Sequence, residues 1–162
     1  MPGVVDADTH IAESESIWNF IDEELHPKRP VLVSIPDDTL YEDSNAFWLI
    51  DGKIFPRPSG KGGFRLITPS AAKSQSTRGD STIASREITD PAIRLADMDR
   101  LGIQIQVIYP TLFLIYLTDD VELEIALCGA YNKWLAHVWS ADEERLRWVA
   151  VLPLRSIEAS LE

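Results

Sequence analysis

The stretch Val4-Val5-Asp6-Ala7-Asp8-Thr9-His10-Ile11-Ala12-Glu13 decides the fold, because it passes from a β-branched run directly into polar residues. In an extended strand, side chains two residues apart share a face, which places Asp6, Asp8 and His10 on one side. Such a polar face is costly in a core unless a metal ion or a hydrogen-bond network satisfies it. An Asp-x-His pair at a strand end can bind one divalent ion through an oxygen and a nitrogen. The alternative is that Asp8 begins a turn and that His10 is a satisfied polar residue.

The composition is that of a single globular domain: 162 residues, of which 45% are hydrophobic and 25% charged. The formal net charge of -11 argues against nucleic-acid and anionic-membrane partners, since both select basic surfaces. The single cysteine, Cys128, excludes an internal disulfide and fits a reducing compartment. Because no signal peptide and no membrane-spanning run is recognisable, the expected location is the cytoplasm.

The segment after the first strand predicts a short helix. Apolar residues recur at helical spacing at Ile17, Phe20, Ile21 and Leu25, and the helix is expected to end before Pro27. Residues 27–88, which follow this helix, are predicted to form an insertion within a single domain that spans 1–162.

The insertion contains two recognisable parts. Asp51-Gly52 can supply the positive φ angles of a type I′ turn, which predicts a β-hairpin at about 46–56. The Gly- and Ser/Thr-rich stretch at about 57–88 predicts a flexible loop. Its glycines at 60–63 lack the spacing of a phosphate-binding loop.

Regular helices and strands follow the insertion. Asp90 as N-cap and Pro91 at the first helical position predict a helix that ends at Gly102 and leads into a strand over 103–109. The residues expected on the packing side of this helix are Ile93, Ala96, Met98 and Leu101. A second helix is predicted from about Asp119 to Ser140. Its apolar stripe is expected to contain Val121, Ile125, Leu127, Cys128, Tyr131, Trp134, Leu135 and Val138.

A strand over 147–152 and a helix beginning at Ser156 complete the pattern. Strands that alternate with helices predict a parallel sheet, either the start of a β/α barrel or an open α/β sheet. In both folds the chemistry lies at the carboxyl ends of the strands. Among these ends, Asp8-Thr9-His10 carries the only dense set of ligand-type groups. His26 and His137 are interpreted as surface or packing residues.

Three blocks of the sequence together resemble a known family. They are Asp6-Ala7-Asp8-Thr9-His10-Ile11-Ala12-Glu13, the run from Arg94-Leu95-Ala96-Asp97-Met98-Asp99-Arg100-Leu101-Gly102-Ile103 to Tyr109-Pro110-Thr111, and Tyr131-Asn132-Lys133-Trp134-Leu135 with Arg145-Leu146-Arg147 and Val151-Leu152-Pro153-Leu154. These blocks are similar to the first strand with its metal motif, the first helix and second strand, and the second helix and third strand of that family. The family is the amidohydrolase-related proteins of the aminocarboxymuconate-semialdehyde decarboxylase type.

The resemblance implies a metal-dependent (β/α)8 barrel of the TIM type, with zinc or manganese as the usual metal. By motif position it implies that Asp8 and His10 are metal ligands and that Asp6 orients the site without binding the ion. Most relatives have His or Glu where Asp8 stands, so the shorter Asp predicts an altered ion position or metal preference. Trp18 and Tyr109 are candidates for lining a substrate pocket.

Phe47 and Trp48 are further candidates for that pocket, and the alternative for all four aromatic residues is ordinary packing. A barrel of this kind needs about 250 residues, and only about three β/α units are recognisable here. The later histidine ligand and the last-strand Asp of the family have no counterpart. The sequence therefore resembles the N-terminal part of the enzyme.

The function expected from the resemblance is hydrolysis of a small carboxylate, amide or lactone substrate. The alternative is non-oxidative, metal-dependent decarboxylation of an aromatic or related acid. A second alternative is a non-catalytic association module, because three parallel strands without closure leave open edges. The expected partners are a small-molecule substrate and either a second copy of the chain or a complementary barrel half.

Overall fold

The computed structural model describes residues 3–34, 46–56 and 83–162. Its strands are β1 (Val4–His10), β2 (Val31–Ser34), β3 (Ala46–Ile50), β4 (Lys53–Pro56), β5 (Ile103–Tyr109) and β6 (Leu146–Trp148). Its α-helices are α1 (Ile83–Glu87), α2 (Pro91–Leu101), α3 (Val121–Trp139) and α4 (Ile157–Leu161). Among these described residues, no helix has both the length and the apolar character that a bilayer crossing needs.

A parallel sheet organises the chain in the order β1-β5-β6, with β5 in the centre. Helix α2 leads into β5, and α3 connects β5 to β6. This arrangement confirms the predicted α/β class and the parallel sheet. The three strands follow one another in space as they do along the chain, as expected for successive β/α units.

Helix α2 has the predicted ends. The side chain of Asp90 accepts a hydrogen bond from the amide of Ala92, Pro91 follows, and Gly102 ends the helix with φ of 70°. The predicted packing side is correct for Met98, which is 1% exposed.

For Ile93, Ala96 and Leu101 the predicted packing side is wrong, because all three are exposed. The guanidinium group of Arg94 turns inward instead and forms hydrogen bonds beneath the helix. A buried polar contact thus sets which face of α2 packs against the sheet.

Helix α3 begins after Asp120, whose carboxylate accepts hydrogen bonds from the amides of Glu122 and Leu123. Most of the predicted apolar stripe is buried, but Val121 and Ile125 are exposed and were placed wrongly. At 3.6 residues per turn, Ile125 lies roughly 200° around the helix from the buried Leu127. Its apolar character therefore does not place it on the packing face.

The segment after β1 differs from the predicted single helix. It forms two 3-10 helices, Glu15–Phe20 and Glu23–Lys28, and the second contains Pro27. Ile21 between them has an extended backbone and is 4% exposed. Burial of this side chain outweighs the helical propensity of the segment, so the prediction fails here.

A second, antiparallel sheet has the order β2-β3-β4. The turn between β3 and β4 has positive φ angles at both Asp51 (48°) and Gly52 (71°), as the sequence predicts. Strand β2 was not predicted. Of the predicted loop, residues 57–82 lie outside the described residues, and residues 83–87 form the helix α1, which corrects that part of the prediction.

The hairpin turn is attached to the start of α3 by side chains. Thr118 donates a hydrogen bond to the carboxylate of Asp51 at 2.7 Å, and Lys53 forms an ion pair with Asp119 at 2.7 Å. Arg155 binds the other carboxylate oxygen of Asp119 at 2.9 Å. In the core the antiparallel sheet also meets the 3-10 helix Glu15–Phe20, because Trp18 of that helix packs edge to face against Trp48 of β3 with ring centroids 5.8 Å apart.

Strand β6 is shorter than the predicted strand over 147–152. The amide of Val151 donates to the side-chain oxygen of Asn132 at 3.0 Å, and the Asn132 amide group donates to the Val151 carbonyl at 2.8 Å. Because α3 satisfies both backbone groups of Val151, this residue does not join the sheet. Helix α4 begins directly after its N-cap Ser156, close to the predicted start, and the Ser156 side chain accepts a hydrogen bond from the amide of Ala159.

Candidate functional site

Strand β1 contains a β-bulge in the middle of the predicted motif. Asp6 pairs with Gln106 and Thr9 pairs with Ile108, so three steps along β1 match two along β5. A bulge of this kind breaks the alternation of side chains. The hydroxyl of Thr9 consequently donates to the carboxylate of Asp6 at 2.5 Å. The prediction that Asp6 shares a face with Asp8 and His10 is therefore wrong.

Asp8 and His10 do lie together. The distance from the Asp8 Oδ1 atom to the His10 Nε2 atom is 3.6 Å, and the two side chains are 91% and 39% exposed. Two donors that bind one zinc ion at their usual distances are about 3 to 3.5 Å apart. A small movement of either side chain would bring both atoms to one ion.

The chain after β5 fixes the orientation of the His10 ring. The Nδ1 atom of His10 lies 2.8 Å from the carbonyl oxygen of Pro110. Because a carbonyl oxygen can only accept, Nδ1 carries a proton in this bond, and a neutral ring then has its lone pair on Nε2. The ring of Tyr109 lies next to it, with ring centroids 5.9 Å apart.

Glu13 is a buried carboxyl group at the same end of the sheet. It is 1% exposed, and its Oε1 atom accepts hydrogen bonds from the amides of Thr111 at 2.8 Å and Leu112 at 2.9 Å. Burial raises the pKa of Glu13 to about 7, although the two amides favour the charged form. The sequence pattern assigns this residue no role of its own. The available signal was a carboxylate directly after the apolar pair Ile11-Ala12.

Asp6 belongs to a polar network under helix α2. Gln106 donates to Asp6 at 3.2 Å, and its side-chain oxygen accepts from Arg94 at 2.8 Å. Arg94 also donates to the backbone carbonyl of Ser85 at 3.0 Å. Burial lowers the pKa of Arg94, and the negative charge of Asp6 opposes that effect. The network holds the bulge in place, so Asp6 supports the strand that presents His10.

The predicted pocket residues occupy different environments. Trp18 is 2% exposed and packs against Trp48 and Phe113 in the core. Tyr109 is partly exposed beside His10, and Phe47 is partly buried in β3. The structure therefore brings only Tyr109 next to the Asp8 and His10 pair, and the substrate roles of these aromatic residues stay predictions.

The other two histidines have local contacts. His26 donates from Nε2 to the carbonyl of Ile21 at 2.9 Å, and His137 is exposed in the last turn of α3 beside Phe20. Within residues 3–34, 46–56 and 83–162, no group of three or more His, Cys, Asp or Glu side chains could hold a metal ion. The site thus offers two metal donors, which is fewer than the three of a catalytic zinc site.

A separate groove of about 410 Å³ lies between α3 and the segments that follow β5 and β6. Its lining is mainly apolar and comes from residues 113–118, from Leu127 and from residues 151–154. Cys128 and Glu124 also line it. Burial, together with the nearby Glu124, raises the pKa of the Cys128 thiol to about 12. The thiol is therefore protonated at neutral pH and is not a nucleophile.

Comparisons with known proteins bear on the fold. No family model and no curated protein matches the sequence. A solved structure of an amidohydrolase, map2389c from Mycobacterium avium subsp. paratuberculosis K-10, is similar with a TM-score of 0.66 and 17% sequence identity. The match covers 98% of this chain and 44% of that one, so this chain spans less than half of its length. The chain has an α/β fold with a parallel sheet that matches part of an amidohydrolase.

Proposed function

We propose that this chain is part of a metal-dependent hydrolase of the amidohydrolase type, in which Asp8 and His10 bind one divalent ion, zinc or manganese. The observation that carries the proposal is the orientation of His10. Its Nδ1 atom is bound by Pro110, which leaves Nε2 available 3.6 Å from the Asp8 carboxylate. A histidine ligand held through its second nitrogen is the common arrangement in metal sites.

The likeness to the solved amidohydrolase supports the location of this pair. In β/α folds the functional groups lie at the carboxyl ends of the parallel strands. Asp8 and His10 are at that end of β1, and Pro110 follows the same end of β5. We propose that the three parallel strands are the first three of a (β/α)8 barrel.

The bound metal would lower the pKa of a water molecule to about 7 and so supply a nucleophile for hydrolysis of an amide or lactone. The residues of this chain would bind and orient that ion. Asp8 contributes a negative oxygen, and His10 a neutral nitrogen whose direction Pro110 sets. Tyr109 lies beside His10 and would contact the substrate.

A third ligand has to come from outside the described residues, because those residues hold only two donors. We propose that a complementary barrel half or a second copy of the chain completes the site. The support is exposed apolar surface on the edge strand β1 and in the segment that follows β6. Val4 and Val5 on β1 are each 55% exposed, and Leu152 and Leu154 after β6 are 51% and 64% exposed.

Manganese titration followed by NMR tests the metal proposal, because paramagnetic broadening also detects a weak two-donor site. We expect broadening centred on Asp8 and His10, and its loss in His10→Ala. His137→Ala is the matched control, since that imidazole is exposed in α3 and should leave the broadening unchanged. Equal broadening in His10→Ala, or none near β1 in the unmodified chain, would contradict the proposal.

A further inference from the structure

We propose that Glu13 is a positioning residue for His10 and acts through the peptide group between Pro110 and Thr111. The proposal rests on the proposed function for the role of His10 as a metal ligand. The contact itself can be tested without metal.

One peptide group joins the two side chains. Its carbonyl oxygen, from Pro110, accepts a hydrogen bond from His10 Nδ1 at 2.8 Å. Its N–H, from Thr111, donates to Glu13 Oε1 at 2.8 Å. In a planar trans peptide the C=O and N–H bonds point in opposite directions. Glu13 therefore fixes the direction of the carbonyl by holding the opposite end of the same peptide plane.

A second amide strengthens this arrangement. Leu112 donates to the same Oε1 atom at 2.9 Å, so two consecutive peptide groups converge on one carboxyl oxygen. Either protonation state of Glu13 keeps an acceptor at this place. The contact therefore does not depend on the charge of the carboxyl group.

The burial of Glu13 indicates a role other than simple packing. Taking a carboxyl group out of water is unfavourable, and the two amides recover only part of that free energy. The Oε2 atom of Glu13 is buried without a hydrogen-bond partner among the residues that the structure describes. Costly polar burial of this kind is concentrated at functional sites.

The tautomer of His10 is the measurement that tests the proposal. Long-range ¹H–¹⁵N NMR of the metal-free chain at pH 8 distinguishes a proton on Nδ1 from one on Nε2. We expect the Nδ1–H form to predominate in the unmodified chain and in Glu13→Gln, which keeps an acceptor oxygen. In Glu13→Ala we expect the ratio of Nδ1–H to Nε2–H to fall roughly fivefold, as for the weakening of one hydrogen bond.

Thr111→Val is the matched control, because it removes the Thr111 hydroxyl bond to the Ile11 carbonyl and keeps the Thr111 amide. We expect its tautomer ratio to equal that of the unmodified chain. If Glu13→Ala does not fold, Glu13→Asp replaces it, since the shorter side chain withdraws the acceptor from both amides. The same fall in the tautomer ratio is then expected.

Three results would overturn the proposal. They are an Nε2–H form in the unmodified chain, an unchanged ratio in the folded Glu13→Ala or Glu13→Asp variant, and a shift in Thr111→Val as large as in Glu13→Ala. Failure of the proposed function has a different signature. In that case the tautomer depends on Glu13 as expected, but manganese broadens no signal near β1.

Discussion

At the scale of single residues, Glu13 should make the free energy of unfolding depend on pH. The pKa of its carboxyl group is raised from 4.5 to about 7 by burial. Between these values the folded state holds more protons than the unfolded state, so stability falls as the pH rises. Between pH 4 and pH 8 we expect the free energy of unfolding of the unmodified chain to fall by about 3 kcal/mol relative to that of Glu13→Gln.

Urea unfolding of both proteins across this pH range checks the prediction. The carboxyl groups with lowered pKa values, at Asp97, Asp119 and Asp120, are common to both proteins and cancel in the difference. Parallel stability curves for the two proteins would show that ionisation of Glu13 does not destabilise the folded state.

Gln106 is the second residue whose contribution can be isolated, because it links Arg94 to Asp6. Gln106→Leu fills a similar volume and leaves the buried Arg94 Nε–H without its acceptor. We expect a loss of about 1 to 3 kcal/mol in the free energy of unfolding. Gln104→Leu on the exposed side of the same strand is the control, and an equal loss there would contradict the assignment.

At the scale of elements, the hairpin turn makes a specific prediction. Gly52 has φ of 71°, a conformation that side chains with a Cβ atom disfavour, and nothing lies within 4 Å of an added Cβ. Gly52→Ala should therefore destabilise the chain by about 1 to 2 kcal/mol through backbone strain alone. Asp51→Asn should lower the stability less, because asparagine tolerates the positive φ angle at position 51. Thermal unfolding of both variants measures this order, and the reverse order would contradict it.

The connection between α3 and the segment after β6 makes another prediction. Asn132 makes two hydrogen bonds with the backbone of Val151. Asn132→Leu should lower the free energy of unfolding by about 1 to 3 kcal/mol. Asn132→Asp keeps the acceptor for the Val151 amide and should lose less. Hydrogen exchange at the Val151 amide reports on the same contact, and unchanged protection in Asn132→Leu would exclude it.

The elements also show which features a sequence can predict. The ends of α2 follow from Asp90, Pro91 and Gly102, because caps and breakers act within a few residues. The bulge in β1 depends on pairing with Gln106, a hundred positions away, and no local pattern marks it. The inward direction of Arg94 is likewise set by its distant partners.

The candidate site divides in the same way. Asp8 and His10 could be identified from spacing and strand position. The role of Pro110 depends on the approach of β5 to β1, and the contacts of Glu13 depend on the segment that follows β5. Both are tertiary contacts. The sequence pattern therefore identifies the two proposed metal ligands but not the groups that orient them.

At the scale of the whole molecule, exposed apolar side chains on β1 and in the segment after β6 predict association. Exposed apolar side chains at Val5 and Leu154 would be buried against a second copy. Leu154→Glu should weaken self-association at least roughly tenfold, since loss of one buried leucine contact exceeds about 1.4 kcal/mol. Sedimentation over a range of protein concentrations measures the effect.

Ile54→Glu is the matched control for Leu154→Glu, because Ile54 is equally exposed at 64% but lies on β4. We expect it to leave association unchanged. A chain that stays monomeric at all concentrations, or an equal effect of both variants, would contradict association through the surface that contains Leu154.

The bulge in β1 has a consequence for the study of variant libraries. Asp6 and His10 are four positions apart, an even spacing, yet the extra residue gives them separate surroundings. A library of substitutions selected only for cellular abundance should therefore be depleted at Asp6 and tolerant at Asp8 and His10. Selection for metal binding should add depletion at Asp8 and His10. The two screens together would then separate the three polar residues of this short motif by their roles.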